Sequence, residues 1–141
     1  MVIVVGRSTR SLEVTQMWPR VHRPISKEEA AVVIAALHRA GTGLAASGLE
    51  SQVPSLTVVA YCECGCGSVS FAVPEGPAYG IELASGCGLT SEGATVGVLV
   101  FGNSETIESL EIWQADEEEA SFPKPESVRK WLPGEVNRGD F

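Results

Sequence analysis

Cys62, Cys64 and Cys66 alternate within the run C-E-C-G-C-G-S, and a fourth cysteine follows at Cys87. Thiolates are soft donors that suit zinc and other thiophilic metals. In extended chain, side chains two apart share a face, so the run crowds three thiols onto one side. Zinc takes four donors at the corners of a tetrahedron. Cys62, Cys64 and Cys66 offer three, and Cys87, His38 or His22 offers the fourth. The spacing is not the C-x-x-C knuckle usual in structural zinc sites, and a flat strand aims alternate thiols in parallel. Gly65 and Gly67 give the loop freedom to bend until the thiols converge. The metal reading therefore names Cys62, Cys64, Cys66 and Cys87 with zinc as cofactor. The plain alternative treats the same cysteines as small hydrophobes near a strand end.

Other chemistries have weaker support. A C-x-C pair can form a strained disulfide that reports on oxidation, but no basic residue is near in sequence and Glu63 disfavours a thiolate. Nucleophilic catalysis needs a base beside a cysteine, and the only histidines are His22 and His38. The G-C-G-S loop has the form of a backbone nest for an anion, though an isolated Gly-x-Gly is a weak signal and turn formation accounts for it better. Asp116, Glu117, Glu118 and Glu119 form an acidic run that reads as a solvated loop. Trp18, Trp113 and Trp131 read as core or half-buried residues.

The elements that must position these residues fall into a helical part and a strand part. Residues 1–24 read as an N-terminal arm or edge strand. Val2 to Val5 has strand character, Leu12, Val14, Met17 and Trp18 can dock, and Pro19 and Pro24 forbid a helix. Ser26 and Glu29 have capping-box spacing. They open a helix over 27–40 with Ala30, Val33, Ile34 and Leu37 on its stripe. Gly41 is expected to stop it in the left-handed conformation. A second short helix is expected from Leu44 to Glu50, with Pro54 at the entry to extended chain. Strands follow at Leu56 to Cys62, Ser68 to Val73, Tyr79 to Leu83, Ala94 to Phe101 and Thr106 to Gln114. The cysteine run lies in the first bend, and a Gly-rich loop runs through Gly86, Gly88 and Gly93. Pro125 to Leu132 reads as a last short helix docked by Val128, Trp131 and Leu132. The expected fold class is α+β: a mostly antiparallel sheet of about four to five strands carrying one main helix and short ones. The domain spans 25–132, with a tail over 133–141.

The chain has 141 residues, 44% hydrophobic and 20% charged, which suits one globular domain. No apolar run approaches the roughly 18 residues of a membrane span. The start M-V-I-V-V-G-R lacks the basic flank and the length of a signal peptide, so a cytoplasmic protein with reduced thiols is expected. The net charge is −8 and uneven. Residues 1–40 carry six basic and three acidic groups, while the remainder carries four and fifteen. No Lys or Arg lies between Arg39 and Lys124, so the cationic surface that nucleic acid requires is lacking. A basic protein partner suits the acidic part better, and an exposed sheet edge leaves a homodimer open.

The segment Q-V-P-S-L-T-V-V-A-Y-C-E-C-G-C-G-S-V-S-F resembles one found in short, uncharacterised bacterial proteins. There a helix and a Q-x-P turn lead into a strand ending in C-x-C-G-C. The later V-G-V-L-V-F-G-N-S-E-T-I-E-S-L-E-I-W and F-P-K-P-E-S-V are similar in kind, and together these cover about residues 26 to 128. Cys87 and the N-terminal arm lie outside the pattern. The resemblance implies an intact domain and no particular activity. The leading expectation is a non-enzymatic interaction module with a structural cysteine cluster. The alternatives are a zinc-binding form of the same domain, and a thiol-dependent enzyme or redox sensor.

Overall fold

The protein is described by a computed structural model covering residues 18–43, 48–72, 80–115 and 120–135. The expectations for Val2 to Val5, for Leu12, Val14 and Met17, for the start of the second helix, for the acidic run 116–119 and for the end of the tail lie outside those residues. The described chain forms β1 (Arg20–Pro24), α1 (Lys27–Ala40), a 3-10 turn (Glu50–Ser55), β2 (Thr57–Tyr61), β3 (Val69–Ser70), β4 (Ile81–Leu89), β5 (Thr95–Gly102), β6 (Ile107–Gln114), a second 3-10 turn (Pro125–Ser127) and β7 (Arg129–Lys130). The strands make one antiparallel sheet in the order β1-β2-β3-β6-β5-β4-β7. This is the α+β class expected. The sheet has seven strands rather than four to five, and β3 and β7 are two-residue strands. Among the described residues no helix is long and apolar enough to cross a membrane.

The helix begins as the sequence dictates. The Glu29 N–H donates to Ser26 Oγ at 3.0 Å, and the Ser26 N–H donates to Glu29 Oε1 at 2.9 Å. Each side chain thus satisfies a backbone donor that the first turn leaves open. Arg23, from edge strand β1, donates to both oxygens of the same carboxylate at 3.0 and 2.8 Å. Burial disfavours the Glu29 carboxylate, but Arg23 and Ser26 outweigh it and hold the group below its ordinary pKa. The buried face is wider than the expected stripe. Val32, Val33, Ala35, Ala36, Leu37 and Ala40 are buried, whereas Ala30 and Ile34 are half-buried.

Three expectations are corrected, each by a contact distant in sequence. Gly41 does end the helix, but at φ −67° and ψ 151°, which is extended rather than left-handed. The chain leaves α1 straight into a bridge with Ala84, and the Thr42 N–H donates to Leu83 O at 3.0 Å. The second correction is that Gly86 and Gly88 stand within β4 and not in a loop. A Cβ on Gly86 would strike the Arg129 carbonyl oxygen and come within 2.9 Å of Ala40 Cβ. Gly86 therefore lets β7 and α1 approach the strand closely, and Gly88 does the same for Pro123, Ser127 and Val128. The third is that the segment from Pro125 to Leu132 is a 3-10 turn followed by β7. Leu89 O accepts the Lys124 N–H at 2.8 Å and the Leu89 N–H donates to Ser127 Oγ at 2.8 Å, so the chain is pinned along β4. Val128 is buried there, Trp131 is half-buried and Leu132 is 56% exposed.

β4, β5 and β6 form a meander whose inner face carries Val96, Val98, Val100, Leu110 and Ile112 into the core beneath Val32, Val33 and Ala36. This double-sided apolar strand, β5, is interior, as its sequence implies. On the outer face Gly97 lies opposite Trp113, whose indole fills the space a Cβ would need. Trp113 stacks on Trp131 with ring centroids 5.8 Å apart and planes 26° apart. Trp18 is half-buried as well.

Glu111 faces Leu99 on that outer side. Burial pushes its carboxyl up to about 7, and the Ser109 hydroxyl at 3.5 Å opposes this only weakly. The folded state then keeps a proton that the unfolded chain releases near pH 4.3. Its stabilising effect is complete below that value and is lost as pH rises through about 7. Allowing for partial exposure, the penalty above pH 7 is about 2 kcal/mol. Glu111→Gln should therefore stabilise the protein at pH 8 and change little at pH 4. Urea unfolding at the two pH values measures this, and an equal effect at both would mean a solvated carboxylate.

Candidate metal centre

The segment 62–68 connects β2 to β3 and is closed at its base by the Cys62 N–H, which donates to Ser68 O at 3.0 Å. Because β3 pairs with β2 on one side and with β6 on the other, the connection lies beside the end of β6. Gly65 and Gly67 have φ of +93° and +97°, the left-handed region that glycine enters without a Cβ penalty. A Cβ on Gly67 would also enter the Phe122 ring. These two turns coil the run. In a flat strand, thiols two apart would stand roughly 6.6 Å from one another. Here the Sγ atoms of Cys62, Cys64 and Cys66 all lie within 4.8 Å of one another.

The sulfurs form a directed chain. The Cys62 thiol donates to Cys64 Sγ at 3.1 Å, and the Cys66 N–H donates to the same sulfur at 3.3 Å. The Ser68 N–H donates to Cys66 Sγ at 3.5 Å, and the Cys66 thiol donates to Ser68 Oγ at 3.2 Å. Two of the N–H groups that an anion nest would offer, those of Cys66 and Ser68, are thus spent on sulfur. Cys64 is exposed, Cys62 half-buried and Cys66 buried. Burial pushes the Cys62 thiol up to about 12. Burial also raises Cys66, against donation from Ser68. At Cys64 burial is outweighed by the donors from Cys66 and Cys62, which hold its pKa below the ordinary value. The exposed central sulfur is therefore the readiest thiolate of the three.

Ser68 is the residue that sequence reasoning did not single out. It is 4% exposed, and its hydroxyl accepts the Ile112 N–H at 2.8 Å while donating to Ile112 O at 3.2 Å. With the Cys66 thiol as its second donor, the hydroxyl uses its whole capacity. It ties the cysteine loop to β6. The only hint in the sequence is a serine directly after C-G-C-G. Beside the sulfurs lies a cavity of about 410 Å³, walled by Trp18, Ile112, Trp113, Gln114 and Ala120.

The other expected donors stand elsewhere. Cys87 is buried in β4, paired with Gly97 and Arg129. Three inter-strand steps separate β4 from β3, roughly 14 Å of sheet. His22 is exposed on β1, and His38 is exposed at the end of α1 in contact with the Glu50 carboxylate. Among the described residues, the His, Cys, Asp and Glu groups that converge are Cys62, Cys64 and Cys66. The structure brings three of the four cysteines together and places no described histidine among them as a catalytic base.

The trio fits a soft metal. Zinc–sulfur bonds of about 2.3 Å at tetrahedral angles put sulfurs about 3.8 Å apart. Cys62 and Cys64, at 3.1 Å, need to part by less than an ångström to reach this. No family model, no curated protein and no solved structure matches the chain.

Proposed function

We propose that this domain binds one soft metal ion, zinc foremost, through Cys62, Cys64 and Cys66, and that the metal fixes the β2–β3 hairpin against β6. The observation that carries the reading is the convergence of three sulfurs within 4.8 Å on a loop coiled by two left-handed glycines. Zinc takes three thiolates here and completes its tetrahedron with a donor beyond the trio. Cys62 and Cys66 are held protonated, so binding must release their protons, and affinity climbs with pH. In this reading the metal is structural. The net charge of −8 then suits a basic protein as partner. The resemblance to short bacterial proteins with a C-x-C-G-C hairpin belongs to the same reading and adds no activity to it.

Native mass spectrometry with elemental analysis tests the proposal. One zinc per chain is the expected result. Cys64→Ser should lower the affinity by at least about 100-fold, because even second-shell losses cost about 10- to 100-fold, while Cys87→Ser should leave it unchanged. A preparation incubated with excess zinc that remains metal-free with four reduced thiols would sink the reading.

A further inference from the structure

We propose that Cys62 and Cys64 form a reversible dithiol–disulfide couple that exchanges with disulfides of small thiols. The inference does not depend on the metal reading, since it uses two of the sulfurs without an ion. It stands on their separation and their access. The two Sγ atoms are 3.1 Å apart, Cys64 is exposed and Cys62 is half-buried. The remaining cysteines are withheld from the exchange. Cys66 is buried with its thiol turned to the Ser68 hydroxyl, and Cys87 is buried in β4.

The exchange has two steps. Cys64 Sγ, as thiolate, attacks one sulfur of an incoming disulfide R–S–S–R. A Cys64–S–S–R bond forms, the original S–S bond breaks, and R–S⁻ leaves and takes a proton from water. Cys62 then loses its proton to solvent and attacks Cys64 Sγ, expelling the second R–S⁻. The protein pair has lost two electrons and two protons, and the small disulfide has become two thiols. The cavity walled by Trp18, Ile112, Trp113, Gln114 and Ala120 opens beside these sulfurs and gives the R group room during the mixed-disulfide stage. Only Glu63 separates the two cysteines, so the closed ring is small and strained, which makes it easy to reduce again. Where the trio also holds a metal, closure removes two of its three sulfur ligands.

The test uses metal-free, full-length protein equilibrated in graded mixtures of glutathione and glutathione disulfide, quenched with acid and read by intact mass and peptide mapping. The wild type should lose two hydrogens, with the new bond mapped between Cys62 and Cys64. Cys66→Ser and Cys87→Ser should close the same bond, and Cys62→Ser should stop at one glutathione adduct on Cys64. Wild type that halts at the mixed disulfide would overturn the proposal. So would a bond mapped to Cys66 or Cys87, or thiols that stay reduced in glutathione disulfide alone. Zinc stoichiometry does not enter this readout, so the exchange and the metal site can fail separately.

Discussion

Gly86→Val should lower stability by more than about 4 kcal/mol, near the limit of what single substitutions do. The reason is space on two sides. Gly86 pairs with Val98 of β5 and with Lys130 of β7. A Cβ there would strike the backbone carbonyl of Arg129 and sit 2.9 Å from Ala40 Cβ at the end of α1. A flexible side chain could swing away, but a carbonyl held in a strand pair cannot. Overpacking by a few methyl groups typically costs about 1–3 kcal/mol, and here the added atoms meet main chain. Releasing β7 is the cheapest escape, and it breaks the Trp113–Trp131 stack. Tryptophan fluorescence should therefore shift even where the protein stays folded. Gly93→Ala is the control. Gly93 has φ +87° with nothing within 4 Å of the added carbon, so the cost is conformational, about 1 kcal/mol. Urea midpoints for the two variants measure the contrast. Equal small losses would show that β7 sits further from β4 than the register implies.

The same glycine shows where sequence reasoning stops. Ser26 and Glu29 are three residues apart, so their capping box is written locally and the helix start could be read directly. Val96, Val98 and Val100 alternate, and their neighbours are apolar too, so an interior strand was legible at β5. Gly86 and Gly88 carry the composition of a loop, and only their pairing with Val98 and Val96 of β5 makes them strand. Gly41 likewise has the residue type of a left-handed cap but takes an extended form, because Ala84 is waiting to pair with it. The C-terminal segment has the pattern of a short helix but forms a 3-10 turn and a strand for the same reason, since its pinning atoms belong to Leu89. At the cysteines, alternation marked the three clustered thiols, and Gly65 and Gly67 marked the bend that brings them together. That Cys87 stands apart follows from strand order, which no local pattern encodes.

Ser68→Ala should cost about 3 kcal/mol and, on the proposed metal reading, weaken zinc binding by about 10- to 100-fold. The hydroxyl is buried and serves three partners: the Ile112 N–H, the Ile112 carbonyl and the Cys66 thiol. Removing it leaves a buried backbone donor and acceptor unpaired, each worth about 1–3 kcal/mol, and no side chain of alanine can replace them. The metal effect has a separate origin. Cys66 is the buried corner of the trio, and Ser68 is what orients its sulfur. Without that anchor the sulfur gains rotamer freedom that binding must remove again. When Cys66 becomes a thiolate it can no longer donate, so the hydroxyl must divide its single hydrogen between the sulfur and Ile112 O. Metal loading should thus perturb the end of β6, visible as a change in Ile112 amide exchange. Ser70→Ala, also buried and two residues further on in β3, is the control and should leave zinc affinity unaltered. A Ser68→Ala protein that loses stability but keeps wild-type zinc affinity would show that the hydroxyl serves the sheet alone, and that the loop holds its sulfurs through Gly65 and Gly67.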